Sequence, residues 1–446
     1  MKLWQKEKDV NAAVEKFTVG RDIEMDAFLA KADILGSMAH TVMLSEIGLM
    51  SESELSDVHN GLRKILSEIE AGDFTLPADV EDIHSYVELR LTKEIGAAGA
   101  KIHSGRSRND QVLVDLKLFL REEIKNIVGH VAKLFEMLQS LSEKYKNVLM
   151  PGYTHLQVAM PSSFGLWFGA YAESLVDDTE MLRAAYRICN KNPLGSAAGY
   201  GSSFPLNRSL TTELLGFDEM NYNVVYAQMG RGKCEKILAQ AMSSVAATLA
   251  RLAADNCMFM SQNFGFVSYP DEFTTGSSIM PHKKNPDVWE LIRGKCNALQ
   301  ALPNTIMMMT ANLPIGYNRD LQLLKEHLFP ALGVLRSCLD MAVTMLEHVK
   351  VNERIIEDPR YDYVFSVEEV NRMVLGGMPF RDAYREVGMK IERGEFEPCR
   401  NVEHTHEGSI GCLCSDKIAA MMREIIESFG FDKVKDAEQQ LVNKVK

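Results

Sequence analysis

A polar loop at residues 276–286 carries the densest set of reactive side chains in the sequence. It contains the hydroxyls of Ser277 and Ser278, the ammonium of Lys283 and the amide of Asn285. Groups of this kind hold a carboxylate and stabilise negative charge that develops on it. The same composition is typical of an ordinary polar surface loop, so composition alone does not decide between the two interpretations.

Several other polar segments lie between apolar stretches. In chain order they contain His84, Ser107, Arg108, Asn109, Thr154, His155, Tyr317, Gln322 and Lys325. Taken singly, His155 is most simply a capping or hydrogen-bonding histidine, Arg108 a surface charge and Lys325 a lysine on a helix surface. Their types suit the binding of carboxylates, but a functional interpretation needs a reason to consider them together.

The elements that must position these loops are predicted to be long helices. Apolar residues recur at spacings of three and four from 111 to 146, which predicts a helix about 50 Å long. Similar segments follow at 161–190, 233–262, 287–310 and 321–350, whereas no convincing series of strands appears. Several segments are apolar on most sides, as in 239–254, and such helices must be buried on most sides. We therefore expect an all-α bundle that associates with further copies.

The pattern divides the chain into three predicted domains. Residues 1–105 form an N-terminal helical domain, in which Ser51 and Glu54 have the spacing of a capping box. Residues 106–355 form the long-helix bundle, with the polar loops at the helix ends. Residues 356–446 have shorter amphipathic segments and form a small C-terminal helical domain.

Composition excludes several classes of partner and location. The net charge is −12 and there is no basic block, so nucleic acid is not expected as a partner. The sequence contains no run of about 18 apolar residues, so no membrane span is predicted. The N-terminus lacks the apolar core of a signal peptide. The eight cysteines are scattered, which favours reduced thiols. These features predict a cytoplasmic protein.

Considered together, the polar loops resemble those of the fumarase/aspartase superfamily. Residues 276–286 are similar to its G-S-S-x-M-P-x-K-x-N signature, and 153–161 to its T-H-x-Q-x-A-x-P region. The run His103–Val112, with G-R-S-R-N-D-Q, resembles the argininosuccinate lyase family within that superfamily. The similarity extends over residues 17–390 and includes E-D-x-H at 81–84 and Y-N-R-D-x-Q at 317–322.

The resemblance implies a three-domain fold and the elimination of fumarate from argininosuccinate, without metal or organic cofactor. It implies Ser277 and His155 as the acid–base pair, with the direction of proton transfer left open, and Lys283 as the stabiliser of the developing charge. It implies binding of the substrate by His84, Ser107, Arg108, Asn109, Thr154, Ser278, Asn285, Tyr317, Gln322 and Lys325. It also implies a homotetramer whose active sites are shared between chains.

Alternatives remain at this stage. Adenylosuccinate lyase is a second enzymatic interpretation, and a non-catalytic crystallin-like protein a third. Gly20 stands where relatives have a serine that contacts the substrate, so contacts to the leaving group are in question there. The C-terminal region contains five potential zinc ligands, namely Cys399, His404, His406, Cys412 and Cys414. Zinc ligation is a weaker possibility here, because the usual paired spacing is absent.

Overall fold

The structure is a computed structural model that describes residues 11–77 and 80–445. Residues 1–10 of the predicted N-terminal domain therefore lie outside the described residues. The N-terminal part contains α1 Ala12–Val19, α2 Asp22–Asp26, α3 Ala30–Glu46, α4 Glu52–Glu70, α5 Ile83–Ile95 and α6 Ala97–Ala100. The predicted capping box is confirmed: the N–H of Glu54 donates to Ser51 Oγ at 3.3 Å, and the N–H of Ser51 donates to Glu54 Oε2 at 2.9 Å.

The central part is a bundle of long helices. Its elements are α7 Arg108–Lys144, β1 Leu149–Thr154, β2 Gln157–Ser163, α8 Phe164–Cys189, β3 Lys191–Asn192, α9 Arg208–Leu214, β4 Glu219–Met220, α10 Val224–Met229, α11 Lys233–Phe259, β5 Val267–Ser268, α12 Asp287–Leu299, α13 Leu302–Met309, α14 Leu324–Glu347 and β6 Lys350–Val351. The apolar faces of the long helices share one large buried core. The predicted all-α character is thus confirmed.

The C-terminal part packs against both of the other regions. It contains α15 Ser366–Leu375, α16 Phe380–Glu392, α17 Ser415–Glu427 and α18 Phe431–Asn443. Helix α17 packs against α7 and α8, while α18 packs against α3 and α9. Arg63 of α4 donates to the carbonyl oxygens of Val442 and Val445, and so satisfies acceptors that are left free where α18 ends.

Contacts along the long helices define two ends of the bundle. Helices α7 and α8 are antiparallel, because Ser142 Oγ donates to Gly165 O at 2.7 Å and Arg121 Nη1 donates to Asn190 Oδ1 at 3.1 Å. Helix α14 runs in the same direction as α7. We call the end where α7 begins the cleft end. The other end, where β1 and β2 form a hairpin, is the hairpin end.

The structure differs from the sequence prediction at three elements. Residues 149–163 form an antiparallel hairpin, so α8 begins at Phe164 rather than 161. The predicted helix 287–310 is broken between α12 and α13, where Pro303 lies in the first turn of α13 and cannot donate the backbone hydrogen bond that would continue α12. Residues Arg319–Leu323 form a 3-10 turn, so α14 begins later than predicted.

Two stretches, Lys233–Phe259 and Arg319–Glu347, are long and apolar enough to cross a membrane by length and composition alone. In the most apolar 18-residue segment of each stretch, 56% and 50% of the residues, respectively, are buried inside this chain. That degree of burial is typical of core helices in a bundle. The sequence had predicted no membrane span.

The close crossing of α7 and α8 leads to a stability prediction. A Cβ added at Gly165 would lie 2.5 Å from Lys146 Cα and 2.8 Å from Ser142 O, and both of these are backbone atoms. Gly165→Ala should therefore destabilise the protein by about 1–3 kcal/mol, as overpacking does. Gly129→Ala is the control within α7, because nothing lies within 4 Å of its added Cβ. It should be neutral or stabilise by about 0.5–1 kcal/mol. Equal thermal midpoints for the two variants would contradict this account of the crossing.

Candidate active site

A cleft of about 150 Å³ at the cleft end brings five of the predicted residues together. Arg108 and Asn109 lie in the first turn of α7. Tyr317 comes from the loop before α14, Gln322 from the 3-10 turn, and Lys325 from the first turn of α14. Two chain segments that are far apart in sequence, 108–109 and 317–325, thus contribute to one polar cavity.

Acidic residues that precede α5 hold Arg108 in place. Its Nε lies 2.9 Å from Asp82 Oδ2, its Nη1 lies 3.2 Å from Glu81 Oε1, and its Nη2 donates to Ser85 Oγ at 2.9 Å. Burial by itself raises the pKa of the Asp82 carboxyl. The positive charges of His84 and Arg108 have the larger effect, so the pKa is lowered overall. The guanidinium is therefore fixed with part of its surface open to the cleft.

Ser107, which the resemblance assigns to substrate binding, caps the start of α7. Its Oγ accepts from the N–H of Asn109 at 3.3 Å, and its own N–H donates to Asp110 Oδ1 at 2.8 Å. Asp110 is buried and its other oxygen accepts from the N–H groups of Gly195 and Ala197. The capping box sets the direction in which Arg108 and Asn109 leave the helix start.

Lys325 is 3% exposed and lies between two carboxylates. Its Nζ is 2.6 Å from Asp22 Oδ1 and also contacts Asp26 Oδ1. Burial raises the pKa of Asp22, although the Lys325 ammonium opposes this. The short helix α2 is thereby fastened to the start of α14, and it forms one wall of the cleft.

Gln322 fastens the end of α1 to the same wall. Its Nε2 donates to the carbonyl oxygens of Thr18 and Val19 at 3.1 and 3.3 Å. The next residue, Gly20, has φ of 54° and ends α1. Glycine adopts this left-handed backbone without the strain that a serine would carry. The departure from the resemblance at residue 20 therefore has a local conformational reason.

His84 does not line the cleft but lies in a buried ion cluster. Its Nδ1 is 2.6 Å from Asp33 Oδ1 and 3.5 Å from Asp115 Oδ2. Burial opposes its charge, yet the Asp33 and Asp115 carboxylates outweigh this and raise the pKa of His84 to about 9. Among the described residues these three form a group of potential metal ligands within 4.8 Å. The 2.6 Å contact is a hydrogen bond, however, since two ligands of one tetrahedral zinc lie roughly 3.3 Å apart.

Thr154 and His155 lie at the tip of the β1–β2 hairpin, and both are exposed. The two central residues of the turn are His155 and Leu156, with φ of 54° and 56°. Such a two-residue turn normally contains asparagine and glycine, because other side chains are strained there. The strained backbone projects the imidazole away from the bundle surface.

The loop of Ser277 is tied at its base and open at its tip. The N–H of Asn285 donates to Thr275 O at 2.8 Å, and Asn285 Nδ2 donates to Gly276 O at 3.2 Å. Ser277 Oγ accepts from the N–H of Met280 at 3.2 Å. Lys284 forms an ion pair with Asp271, while Lys283 is exposed, as is Ser278.

The two groups of predicted residues lie at opposite ends of the bundle. The His155 hairpin packs against residues near the end of α14, and β5, which precedes the Ser277 loop, pairs with β6 just after α14. The cleft lies where α7 and α14 begin. Helix α7 has 37 residues and is therefore about 55 Å long. One chain alone brings none of Ser277, Lys283 and His155 to the cleft.

Six charged residues that the sequence analysis does not assign to the site also line the cleft, namely Asp22, Asp26, Glu81, Asp82, Arg231 and Arg319. Arg231 is buried with its Nε lacking a hydrogen-bond partner in the described part of the chain, and its guanidinium lies 5.2 Å from the centre of the Tyr317 ring. The spacing of Asp22 and Asp26, one helical turn apart, was a signal for a shared cationic partner. Nothing in the local sequence pointed to Arg231.

The C-terminal cysteines and histidines do not converge on one point. Cys412 Sγ and Cys414 Sγ are 3.8 Å apart, whereas His404 bonds to Glu368 at 3.2 Å. Among the described residues, the Asp33 cluster brings three potential ligand atoms within 4.8 Å of one another, and this group does not. The arrangement therefore gives no support to zinc ligation by the C-terminal residues.

Comparison with known proteins gives a consistent family assignment. A family model described as Lyase matches residues 6–300. The chain is 62% identical over 442 residues to the argininosuccinate lyase of Parabacteroides distasonis, covering 99% of both chains. It is 38% identical over 392 residues to that of Thermotoga neapolitana, covering 88% of this chain and 98% of the relative.

Solved structures share the fold at lower identity. An EDDS lyase in complex with formate has a TM-score of 0.80 at 22% identity, covering 98% of this chain and 96% of its own. A fumarate lyase:delta crystallin from Brucella melitensis bound to cobalt has a TM-score of 0.72 at 15% identity, covering 91% of both chains. The fold and the near full-length similarity agree, and the chain belongs to the lyase family, within it to the argininosuccinate lyases.

Proposed function

We propose that this carbon–nitrogen lyase eliminates fumarate from argininosuccinate and releases arginine, in arginine biosynthesis. The observation that carries the proposal is the 62% identity to an argininosuccinate lyase over 99% of both chains. The direct test follows fumarate by its ultraviolet absorbance with argininosuccinate and, separately, with adenylosuccinate. Formation of fumarate from adenylosuccinate alone would refute the substrate assignment.

The charges of the cleft support this substrate. Arginine and lysine side chains, Arg108, Arg231 and Lys325, lie beside the carboxylates of Asp22 and Glu81. Argininosuccinate carries carboxylates together with a guanidinium and an ammonium, so a cleft with both signs of charge is complementary to it. We infer that the cleft binds substrate groups through Arg108, Asn109, Tyr317, Gln322 and Lys325. His84 contributes indirectly, because its buried cluster with Asp33 and Asp115 positions Asp82 and Ser85, which contact Arg108.

The chemistry is proposed for the loops of the hairpin end. The difficult step is removal of a proton from the succinyl carbon beside a carboxylate, because this leaves a second negative charge on that carboxylate. Lys283 and Asn285 stabilise this charge, with Thr154 and Ser278 as further donors. Ser277 and His155 are the acid–base pair: one takes the proton, and the C–N bond then breaks to release fumarate and arginine. Which of the two is the base is left open.

A complete site then requires more than one copy of the chain. An extended substrate spans about as much as four residues, roughly 13 Å, whereas the two groups of residues are separated by nearly the length of the 37-residue α7. We infer a homotetramer in which the cleft of one chain meets the hairpin and the Ser277 loop of others. Exposed apolar side chains on the bundle helices, such as Leu291 and Met308, support association.

We further infer a cytoplasmic location and the three-domain division at residues 105 and 355. All eight cysteines are free thiols, which supports a reducing compartment. Helices α3, α4 and α5 pack in a buried core distinct from the large bundle core, and this supports the first boundary. Val114 and Leu118 of α7 and Leu441 of α18 also belong to that core.

Ser277→Ala should lower kcat by at least about 10², because general acid–base groups typically contribute that much. Substrate binding and the oligomeric state should be preserved, since Ser277 lies on a loop that other residues hold at its base. Steady-state kinetics and light scattering measure both. Activity within about tenfold of the unmodified protein would contradict the role of Ser277.

Two adjacent lysines form a matched pair for testing charge stabilisation. Lys283→Met should lower kcat/KM by about 10²–10³, as expected for loss of a donor to developing charge. Lys284→Met removes only the exposed ion pair with Asp271 and should change kcat/KM by less than about fivefold. Equal effects of the two substitutions would show that the loop responds to net charge rather than to the position of Lys283.

Mixed oligomers test the sharing of sites between chains. His155→Ala and Ser277→Ala proteins should each be inactive, but mixtures that are dissociated and reassembled should regain about one quarter of the activity if each site draws the two groups from independent chains. Native mass spectrometry confirms that hybrids have formed. Hybrids that remain inactive would mean that both groups come from one chain, and the shared-site inference would be wrong.

A further inference from the structure

A second cavity, of about 300 Å³, lies next to the cleft and contains none of the residues assigned to the lyase site. It is bounded by α7, by the paired strands β3 and β4, and by the residues that lead into α11. Its charged lining residues are Lys117, Lys191, Lys233 and Glu219, which together carry a net charge of +2. The whole chain, by contrast, has a net charge of −12. The cavity is thus a local positive region on an acidic protein.

Lys117 is the most unusual of these residues because it is only 3% exposed. Its Nζ donates to Lys191 O at 2.7 Å and to Asn221 Oδ1 at 2.6 Å, and both acceptors are neutral. No carboxylate within the described residues lies close enough to form an ion pair with it. Burial lowers the pKa of Lys117, an effect that Cys234, Cys189 and the buried carboxyl of Glu235 oppose.

A buried ammonium without an ion-pair partner is costly to maintain. An ammonium has three N–H donors, so after its two hydrogen bonds Lys117 has one left for a ligand. Lys191 is already paired with Glu219 at 2.7 Å. Lys233 is exposed and lies 5.3 Å from the centre of the Tyr226 ring, with no ion pair among the described residues. Two ammonium groups of the cavity therefore lack a charged partner.

We propose that this cavity binds a small oxyanion, the carboxylate or phosphate group of a metabolite, between Lys117 and Lys233. Charge-assisted hydrogen bonds from a desolvated lysine are among the stronger polar contacts. The volume lies at the lower edge of the range for small-ligand pockets, so the ligand is of the size of a short dicarboxylate or a phosphate ester rather than a nucleotide.

The position of the cavity couples it to the cleft. Gly230, Lys233 and Cys234 line the cavity, whereas Arg231, within the same turn, lines the cleft. The N–H of Lys233 donates to Gly230 O at 3.2 Å, so Arg231 and Lys233 belong to one hydrogen-bonded turn. An anion on Lys233 therefore biases the position of the Arg231 guanidinium, and binding in the cavity and in the cleft affect each other reciprocally.

Calorimetric titration with inorganic phosphate and, separately, with succinate tests the site on the intact protein. Lys117→Gln and Lys233→Gln should each weaken binding at least about tenfold, as loss of a charged donor does. Lys133→Gln is the control, an exposed lysine farther along α7, and should leave binding unchanged. The relative affinity for the two probes distinguishes a phosphate from a carboxylate ligand.

Lys325→Met separates this cavity from the cleft. Anion binding that is lost in Lys325→Met but kept in Lys117→Gln and Lys233→Gln would overturn the proposal, as would equal binding by all variants. If Lys117→Gln fails to fold, the exposed Lys233 decides the question. The titration requires no turnover, so its result is independent of the lyase reaction proposed above.

Discussion

The length of α7 is the constraint on which the rest of the structure depends. A straight helix of 37 residues holds its two ends about 55 Å apart, and the chain has placed one group of polar side chains at each end. Antiparallel α8, with 26 residues, and parallel α14, with 24 residues, run beside most of this length. A rigid bundle cannot bend to close this distance, and this is why we propose that several bundles assemble to bring the two groups together.

The cleft end depends on buried charge rather than on apolar packing alone. Asp33 of α3, His84 of α5 and Asp115 of α7 meet in one cluster. Because each lies on a different helix, the cluster fixes α5 against the long bundle helix. Asp82 and Ser85, on either side of His84, then hold Arg108. Loss of one partner would leave an uncompensated buried charge, which is far more destabilising than loss of an exposed pair.

The sequence was sufficient for features with local causes. The helical periods predicted the bundle, and Ser51 with Glu54 predicted a capping box that the structure contains. The hairpin was missed, because its strands contain Pro151, Gly152 and Pro161 and its turn lacks asparagine and glycine. Arg231 was missed because it approaches the cleft only through long-range packing, whereas the spacing of Asp22 and Asp26 indicates a shared cationic partner without identifying it. The roles of the site residues and the domain boundaries stay predictions.

The hairpin tip shows how a local rule is broken where the proposed chemistry lies. His155 and Leu156 both adopt a left-handed backbone that asparagine and glycine would occupy with less strain. Leu156 is also 71% exposed, so burial within this chain does not compensate for that strain. Local propensity and observed structure disagree most often at functional sites. A turn that projects an imidazole and an apolar side chain outward is suited to completing the site of a neighbouring copy, where both side chains would gain contacts.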